Sequence, residues 1–417
     1  MIVMKKFLSL FMLIFMLSNI LSVSANAKSK DKKESKPTTV VEDAPKIKIE
    51  SNRPTTWCPE LKIGLYTLNA PFKATANLNS VAINLTNGKK IKSFKKDTEI
   101  TFSAANNIVK INGESTGNAE IELRPQTETD LRNMQTKING QPYFGGLKLI
   151  AIKNNLVVIN VVTVEEYLRG VLPKEMSPSC NKEALKAQAV AARTFALKNR
   201  KRHQSEGYDL CSSVHCQSYD GVEMLDKRTD EAIASTFGEV LYYNDKLIEA
   251  PFHTDSGGIT ENAVDVWGTD FPYLRATTEI EKETMPWKVG FTFEEFSKKL
   301  AESGYKVGDV KFVKVTNLEI GKVNNDRSSS GRVKSLSIVG SGGEIKLTGN
   351  EMRNIFGLKS TLFDVGINGE AIVITGYGWG HGVGMSQNGA QAFAEHGHSY
   401  DKILAHYYKD TKIKRLY

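Results

Sequence analysis

The sequence lacks most of the features that would place it outside the ordinary globular proteins. After residue 23 no apolar run approaches the length needed to cross a bilayer, so the body of the chain is not a polytopic membrane protein. No internal repeat is visible. Cysteine is scarce, at four residues in 417, and charge of one sign is scarce too. The formal net charge is +8, but the first 27 residues carry two of those charges and the following stretch to residue 53 carries three more. The remainder is only mildly basic, which gives nucleic-acid binding no support. With 40% apolar and 24% charged residues, neither a fibre nor a wholly disordered chain fits.

What is present begins at the N-terminus. Lys5 and Lys6 precede a mostly apolar run over residues 7–23, and Ala25-Asn26-Ala27 supplies the small residues of a signal-peptidase site. Residues 1–27 are therefore expected to be a signal peptide, cleaved after Ala27, and the protein to work outside the cytoplasmic membrane. Left uncleaved, the same run would be an anchor and the chain's one membrane contact. Residues 28–56 read as a flexible tether, because lysines crowd before Pro37 and hydrophobicity is too low for packing.

The remaining length is enough for two compact lobes with a groove between them. Short β-like runs at residues 61–65, 80–85, 98–102 and 108–111 are punctuated by Asn87-Gly88 and Asn112-Gly113, which predicts a β-rich N-terminal lobe over residues 57–162. A further hairpin is expected from residues 147–152 and 156–162. The Thr163/Glu166 capping pattern opens a short helix at Val164. After Pro173, Asn181 can cap a second helix over residues 184–198, whose six alanines let neighbouring backbones approach closely and predict a central, buried position. Further helical patterns lie at residues 293–303 and 390–408. The fold class expected is α+β, with β-rich lobes flanking a buried helical segment, and a projecting subdomain over about residues 279–322.

Glu175 falls in the expected connection between the two helices. Val171, Leu172, Pro173 and Met176 around it would desolvate its carboxyl and raise its pKa, as a general acid near neutral pH requires.

The segment Val164-Glu165-Glu166-Tyr167-Leu168-Arg169-Gly170-Val171-Leu172-Pro173-Lys174-Glu175-Met176, followed by Glu183-Ala184-Leu185-Lys186-Ala187-Gln188-Ala189-Val190-Ala191-Ala192-Arg193-Thr194, resembles the stage II sporulation protein D family, also called the amidase-enhancer family. Three later blocks agree: Phe252-His253-Thr254-Asp255-Ser256-Gly257-Gly258; Gly331-Arg332-Val333 with Arg353 beyond it; and Gly376-Tyr377-Gly378-Trp379-Gly380-His381-Gly382-Val383-Gly384-Met385-Ser386-Gln387. The resemblance runs from about Leu61 to the C-terminus. It implies a peptidoglycan lytic transglycosylase, which cleaves between N-acetylmuramic acid and N-acetylglucosamine without water and leaves a 1,6-anhydro end, with Glu175 as the catalytic residue. It also implies a preference for glycan strands stripped of stem peptides and cooperation with a cell-wall amidase. A non-catalytic enhancer that presents glycan to such an amidase is the alternative, and a zinc-dependent amidase is a third reading.

One carboxyl suffices for the lytic reaction, because the muramyl 6-hydroxyl is tethered to the carbon it attacks. The block from residue 376 to 389 holds six glycines around one Trp and one His, which suits close backbone approach to a sugar or tight turns. On the family match, Tyr377 and Trp379 are expected to stack on sugar rings and His381 to hydrogen-bond glycan or position Glu175, with Asp255, Ser256 and Gln387 as polar lining.

Cys211-Ser212-Ser213-Val214-His215-Cys216 packs two thiols and an imidazole into six residues, which suits zinc as well as a disulfide. Some family members resemble this with a Cys/His zinc site at the same place, and His203 is then the expected fourth ligand. Such a zinc would be structural, since its protein ligands leave little room for an activated water. Cys58 and Cys180 are left free or paired.

Overall fold

The computed structural model describes residues 58–127, 131–280 and 285–417. The expected signal peptide and tether lie outside the described residues. The described chain is mixed α and β with several sheets. Among the described residues no helix is long and apolar enough to cross a membrane.

The N-terminal third forms two sheets that share one core. In the larger, strands run in the order Leu210–Cys211, Glu60–Leu68, Asn155–Thr163, Gly146–Ile152, Glu120–Pro125, Ser80–Asn84 and Lys90–Phe94. All pairings are antiparallel except the first. The second sheet places Phe72–Ala76 between Gln135–Ile138 and Ile100–Ala105. Its inward residues, Phe72, Ala74, Ile100 and Phe102, pack with Leu61, Ile63, Leu123, Leu147 and Val158 of the first. The hairpin between residues 146 and 163 turns on Lys153 and Asn154, both at positive φ (48° and 61°). That is the paired left-handed geometry of the tightest hairpin turn.

Among the described residues, eight α-helices follow. The first, α1, spans Val164–Glu175. Next come α2 (Lys182–Lys198), α3 (Lys227–Ser235) and α4 (Ala263–Trp267). The last four are α5 (Phe293–Glu302), α6 (Gly349–Phe356), α7 (Gln387–Glu395) and α8 (Tyr400–Tyr407). The helix start at Val164 is where the sequence puts it, but the Thr163 hydroxyl donates to the Glu166 carboxylate and caps no backbone N–H. Glu175 is the last residue of α1, not part of a connection, with Pro173 inside the final turn. The expected helix over residues 390–408 is two helices, parted at Gly397.

The alanine-rich α2 is the hub. It contacts α1, α3, α7, α8 and the strand Glu239–Tyr243, and its alanines at 184, 187, 189, 191, 192 and 196 are fully buried. Asn181 caps it by accepting from the Glu183 N–H. Arg193, also fully buried on α2, forms a two-pronged ion pair with Glu165 of α1 at 2.8 and 2.9 Å and donates to the carbonyls of Ile233 and Glu239. One guanidinium thus ties α1, α2 and the segment after α3 together.

A second hydrophobic core draws on Trp287, Phe296, Leu300, Leu336, Ile338, Met352, Phe356, Phe363 and Ile374. Its members come from α5, α6 and two three-stranded sheets. Residues 279–322 supply part of it, and the rest comes from the chain as far as residue 374.

Candidate functional site

Glu175 is held from two sides. Within α1, Gly170 has no side chain because none would fit: a Cβ there would lie 2.4 Å from the Gly221 carbonyl oxygen and 2.6 Å from the Tyr219 ring. Residues 216–221 therefore press directly on the helix. Tyr219 is pinned by its hydroxyl to Asn160 at 2.8 Å, and Gln217 accepts from the Tyr167 hydroxyl at 3.2 Å. Between them the Ser218 N–H donates to Glu175 Oε1 at 2.8 Å. Burial pushes the Glu175 carboxyl above its ordinary range, against the opposing pull of the Ser218 N–H, the Ser218 hydroxyl and the Gln387 amide. Desolvation outweighs the hydrogen bonds, so the protonated form gains.

Glu175 lines a cleft of about 770 Å³. On the same cleft lie Trp379, Gly380, His381 and Gln387 from the glycine-rich block, Trp267 at the end of α4, and Phe271. Trp379 and Trp267 are 46% and 44% exposed, with the Lys359 ammonium 5.0 Å over the Trp379 ring and His381 5.5 Å from the Trp267 ring. The parallel pairing of Phe252–His253 with Met385–Ser386 brings the block to this place. Its glycines serve that pairing. Gly380, at φ 115°, would put a Cβ 2.6 Å from the Cβ of His253. The close backbone approach is thus to the protein's own chain, while Trp379 and His381 carry the cleft surface.

His253 is only 5% exposed, and its Nδ1 lies 3.2 Å from the Val383 carbonyl. Nδ1 therefore bears the proton, and Nε2, which has no protein partner, is an acceptor. Burial, with help from neighbouring His381 and Arg332, drives its pKa well below the ordinary range. His381 accepts the Val383 N–H on Nδ1 at 3.0 Å, and burial together with Arg332 and Arg353 lowers it to about 4. Both imidazoles are neutral near pH 7, and the cleft's two carboxyls are Glu175, whose pKa burial raises, and Glu249. Gln387 lies beside Glu175 on the same cleft.

Three expected lining residues are elsewhere. Tyr377 is tied by its backbone to Leu362 and Ser360. The Asp255 carboxylate accepts from the Gly257 N–H and from Asn388, and so braces a turn. Ser256 is fully buried, where its hydroxyl accepts from the Gly258 N–H and its carbonyl from Arg332. None of the three lines the cleft. Residues that sequence reasoning gave no role, Phe195, Glu249, His253 and Arg353, do line it. His253 and Arg353 lay in quoted motifs; nothing in the sequence marked Glu249, which is held by Asn199 at 3.1 Å and by Lys198 at 3.9 Å.

His203, Cys211, His215 and Cys216 converge on one edge of the cleft, with their ligand atoms within 4.8 Å of one another, and could hold a metal ion. Tetrahedral coordination at ordinary metal–sulfur and metal–nitrogen lengths places S and N about 3.6 Å apart. The separations here are 3.5 Å for Cys216–His203, 3.6 Å for Cys211–His215 and 3.7 Å for Cys216–His215. His203 uses Nε2 toward the cluster and bonds Glu206 through Nδ1 at 2.6 Å, the outer-shell carboxylate typical of a metal-bound imidazole. All four cysteines are free thiols, including Cys58 and Cys180. Although burial opposes it, hydrogen bonds from Ser213 and His215 hold Cys211 down to about 7.

A family model described as stage II sporulation protein matches residues 152–243, which hold α1, α2, Glu175 and the four candidate ligands. The chain is 34% identical to stage II sporulation protein D of Bacillus subtilis over 270 residues, 60% of this chain and 74% of that protein. It belongs to the stage II sporulation protein D family. An uncharacterised protein of Brachyspira hyodysenteriae is 32% identical over 365 residues, covering 82% of this chain and 94% of that one. The amidase enhancer of B. subtilis is 29% identical over 357 residues, covering 75% of this chain and 50% of that one. A second family model, a domain of unknown function, matches residues 264–384. That stretch contributes Arg353, Trp379 and His381 to the same cleft as the sporulation-family segment.

Proposed function

We propose that this protein is a peptidoglycan lytic transglycosylase acting outside the cytoplasmic membrane, in sporulation or cell-wall remodelling, and that Glu175 moves the proton. The observation that carries this reading is a carboxyl of raised pKa in a cleft walled by two exposed tryptophans and two neutral histidines. Protonated Glu175 gives its proton to the oxygen bridging muramyl C1 and the next N-acetylglucosamine. The C1–O bond breaks, and the leaving sugar departs with a free 4-hydroxyl. The muramyl 6-hydroxyl then adds to C1, and its proton returns to the Glu175 carboxylate. No water enters, so the products together weigh the same as the substrate. Trp379 and Trp267 hold the sugar rings.

The Cys/His cluster is assigned to zinc, whose part is structural: it fixes the segment that runs from Cys216 to Ser218 and so the hydrogen bond to Glu175. The cleft's substrate is glycan already stripped of stem peptide, which makes a cell-wall amidase the expected partner.

The relative named amidase enhancer favours a second reading, in which the cleft binds glycan for an amidase and cuts nothing. Mass spectrometry of purified peptide-free strands after incubation separates the two. Anhydro-muramyl ends are expected; intact strands retained on the protein would establish the second reading and end the first.

A further inference from the structure

Among the described residues, no acid pairs with the cation Arg353. It lies on α6, in the second core's segment, yet lines the cleft that holds Glu175. Its Nε donates to the Leu358 carbonyl at 3.3 Å, and its two terminal amino groups have no acceptor among the described residues. No described carboxylate pairs with it, whereas the fully buried Arg327 pairs with Asp364, and Arg332 lies close enough to Glu261 for that carboxylate to raise its pKa. Burial alone lowers the Arg353 pKa, and the groups facing it are the neutral His253 and His381 and the cationic Arg332. A half-buried guanidinium with a free two-pronged face inside a ligand cleft is built for a carboxylate or phosphate brought by the ligand.

On the glycan substrate proposed above, the unmodified sugar backbone carries one ionisable group, the lactyl carboxyl of the muramyl residue. When a stem peptide is attached that carboxyl is an amide, uncharged and bulky. We infer that Arg353 binds the free lactyl carboxylate and is the residue by which the cleft selects peptide-free strands. This inference rests on the glycan reading but not on whether the bond is cut, because it concerns binding.

The test is calorimetric binding of peptide-free glycan strands to the full, metal-loaded protein, compared with the same strands after their carboxyls have been converted to methylamides. The wild type and Glu175→Gln are expected to bind the free-carboxyl strands roughly 10- to 100-fold more tightly than the amidated ones, the range for one charge-assisted pair. Arg353→Gln should bind both alike, at the wild type's amidated level, and Arg353→Lys should recover part of the difference. The wild-type comparison changes only the substrate, so it holds even where a variant folds poorly. Equal wild-type affinity for the two strands, or undiminished discrimination by a folded Arg353→Gln, overturns the inference. Carboxylate-dependent binding without anhydro products would leave it standing and remove the lytic reading instead.

Discussion

Gly170→Ala sets two ordinary rules against each other. In a helix interior, alanine is favoured over glycine by about 1 kcal/mol, so propensity alone predicts a stabler protein. Here the added Cβ would sit 2.4 Å from the Gly221 carbonyl oxygen and 2.6 and 2.8 Å from atoms of the Tyr219 ring. Carbon contacts settle at about 3.5–4.0 Å, so the gap must open by roughly 1 Å. Neither neighbour yields easily: one is backbone, and the other is fixed by its bond to Asn160. Overpacking of this kind costs about 1–3 kcal/mol, which outweighs the propensity gain. The displaced segment also carries the Ser218 N–H that holds Glu175, and misplacing a catalytic group by about 1 Å costs on the order of 100-fold in rate. Differential scanning fluorimetry should show a Tm lower by a few degrees, and release of anhydro ends should slow far more than the Tm loss explains. A raised Tm with an unchanged rate would refute both the packing and its link to the acid.

Activity should fall as pH rises through the elevated Glu175 pKa, because the first step needs the protonated form; the same sign means that Glu175 favours folding at low pH and that this contribution is lost as pH rises through that pKa, so Glu175→Gln should flatten the decline of Tm over the same interval. Prolonged chelation, or Cys216→Ser, should release about one zinc per chain by elemental analysis, lower the Tm and suppress cleavage, with zinc restoring the chelated protein. Arg193→Ala strands Glu165 in the interior and should cost about 3–5 kcal/mol in denaturant unfolding, whereas a change at exposed Lys227 should cost almost nothing.

Local signals carried much of the fold. Turn dipeptides and alternating apolar residues located six of the N-terminal strands but missed Phe72–Ala76, Lys90–Phe94, Glu120–Pro125 and Gln135–Ile138, while the alanines of α2 announced a helix that others touch closely. The helix end did not yield to the same logic. A proline in the last turn of α1 reads as a break, yet the turn is completed, since the Met176 N–H reaches the Leu172 carbonyl. Capping was misread at Thr163 because its hydroxyl found a buried carboxylate in place of a backbone donor. At the site, Glu175, Trp379 and His381, singled out by residue type, line one cleft, and the Cys/His residues converge at its edge. Asp255 and Ser256 are instead tied to protein groups, Asp255 to Gly257 and Asn388 and Ser256 to Gly258 and Arg332. Arg353 and Glu249 reach the cleft only through long-range packing, which no local pattern encodes.

The central claim is that Glu175 breaks a glycosidic bond without water, and cleavage of peptide-free strands in heavy-oxygen water tests it most directly. Unlabelled anhydro-muramyl ends are predicted from the wild type, and from Glu175→Gln no cleavage despite retained glycan binding. Heavy oxygen at the new muramyl end, or cleavage that survives Glu175→Gln, would contradict the account.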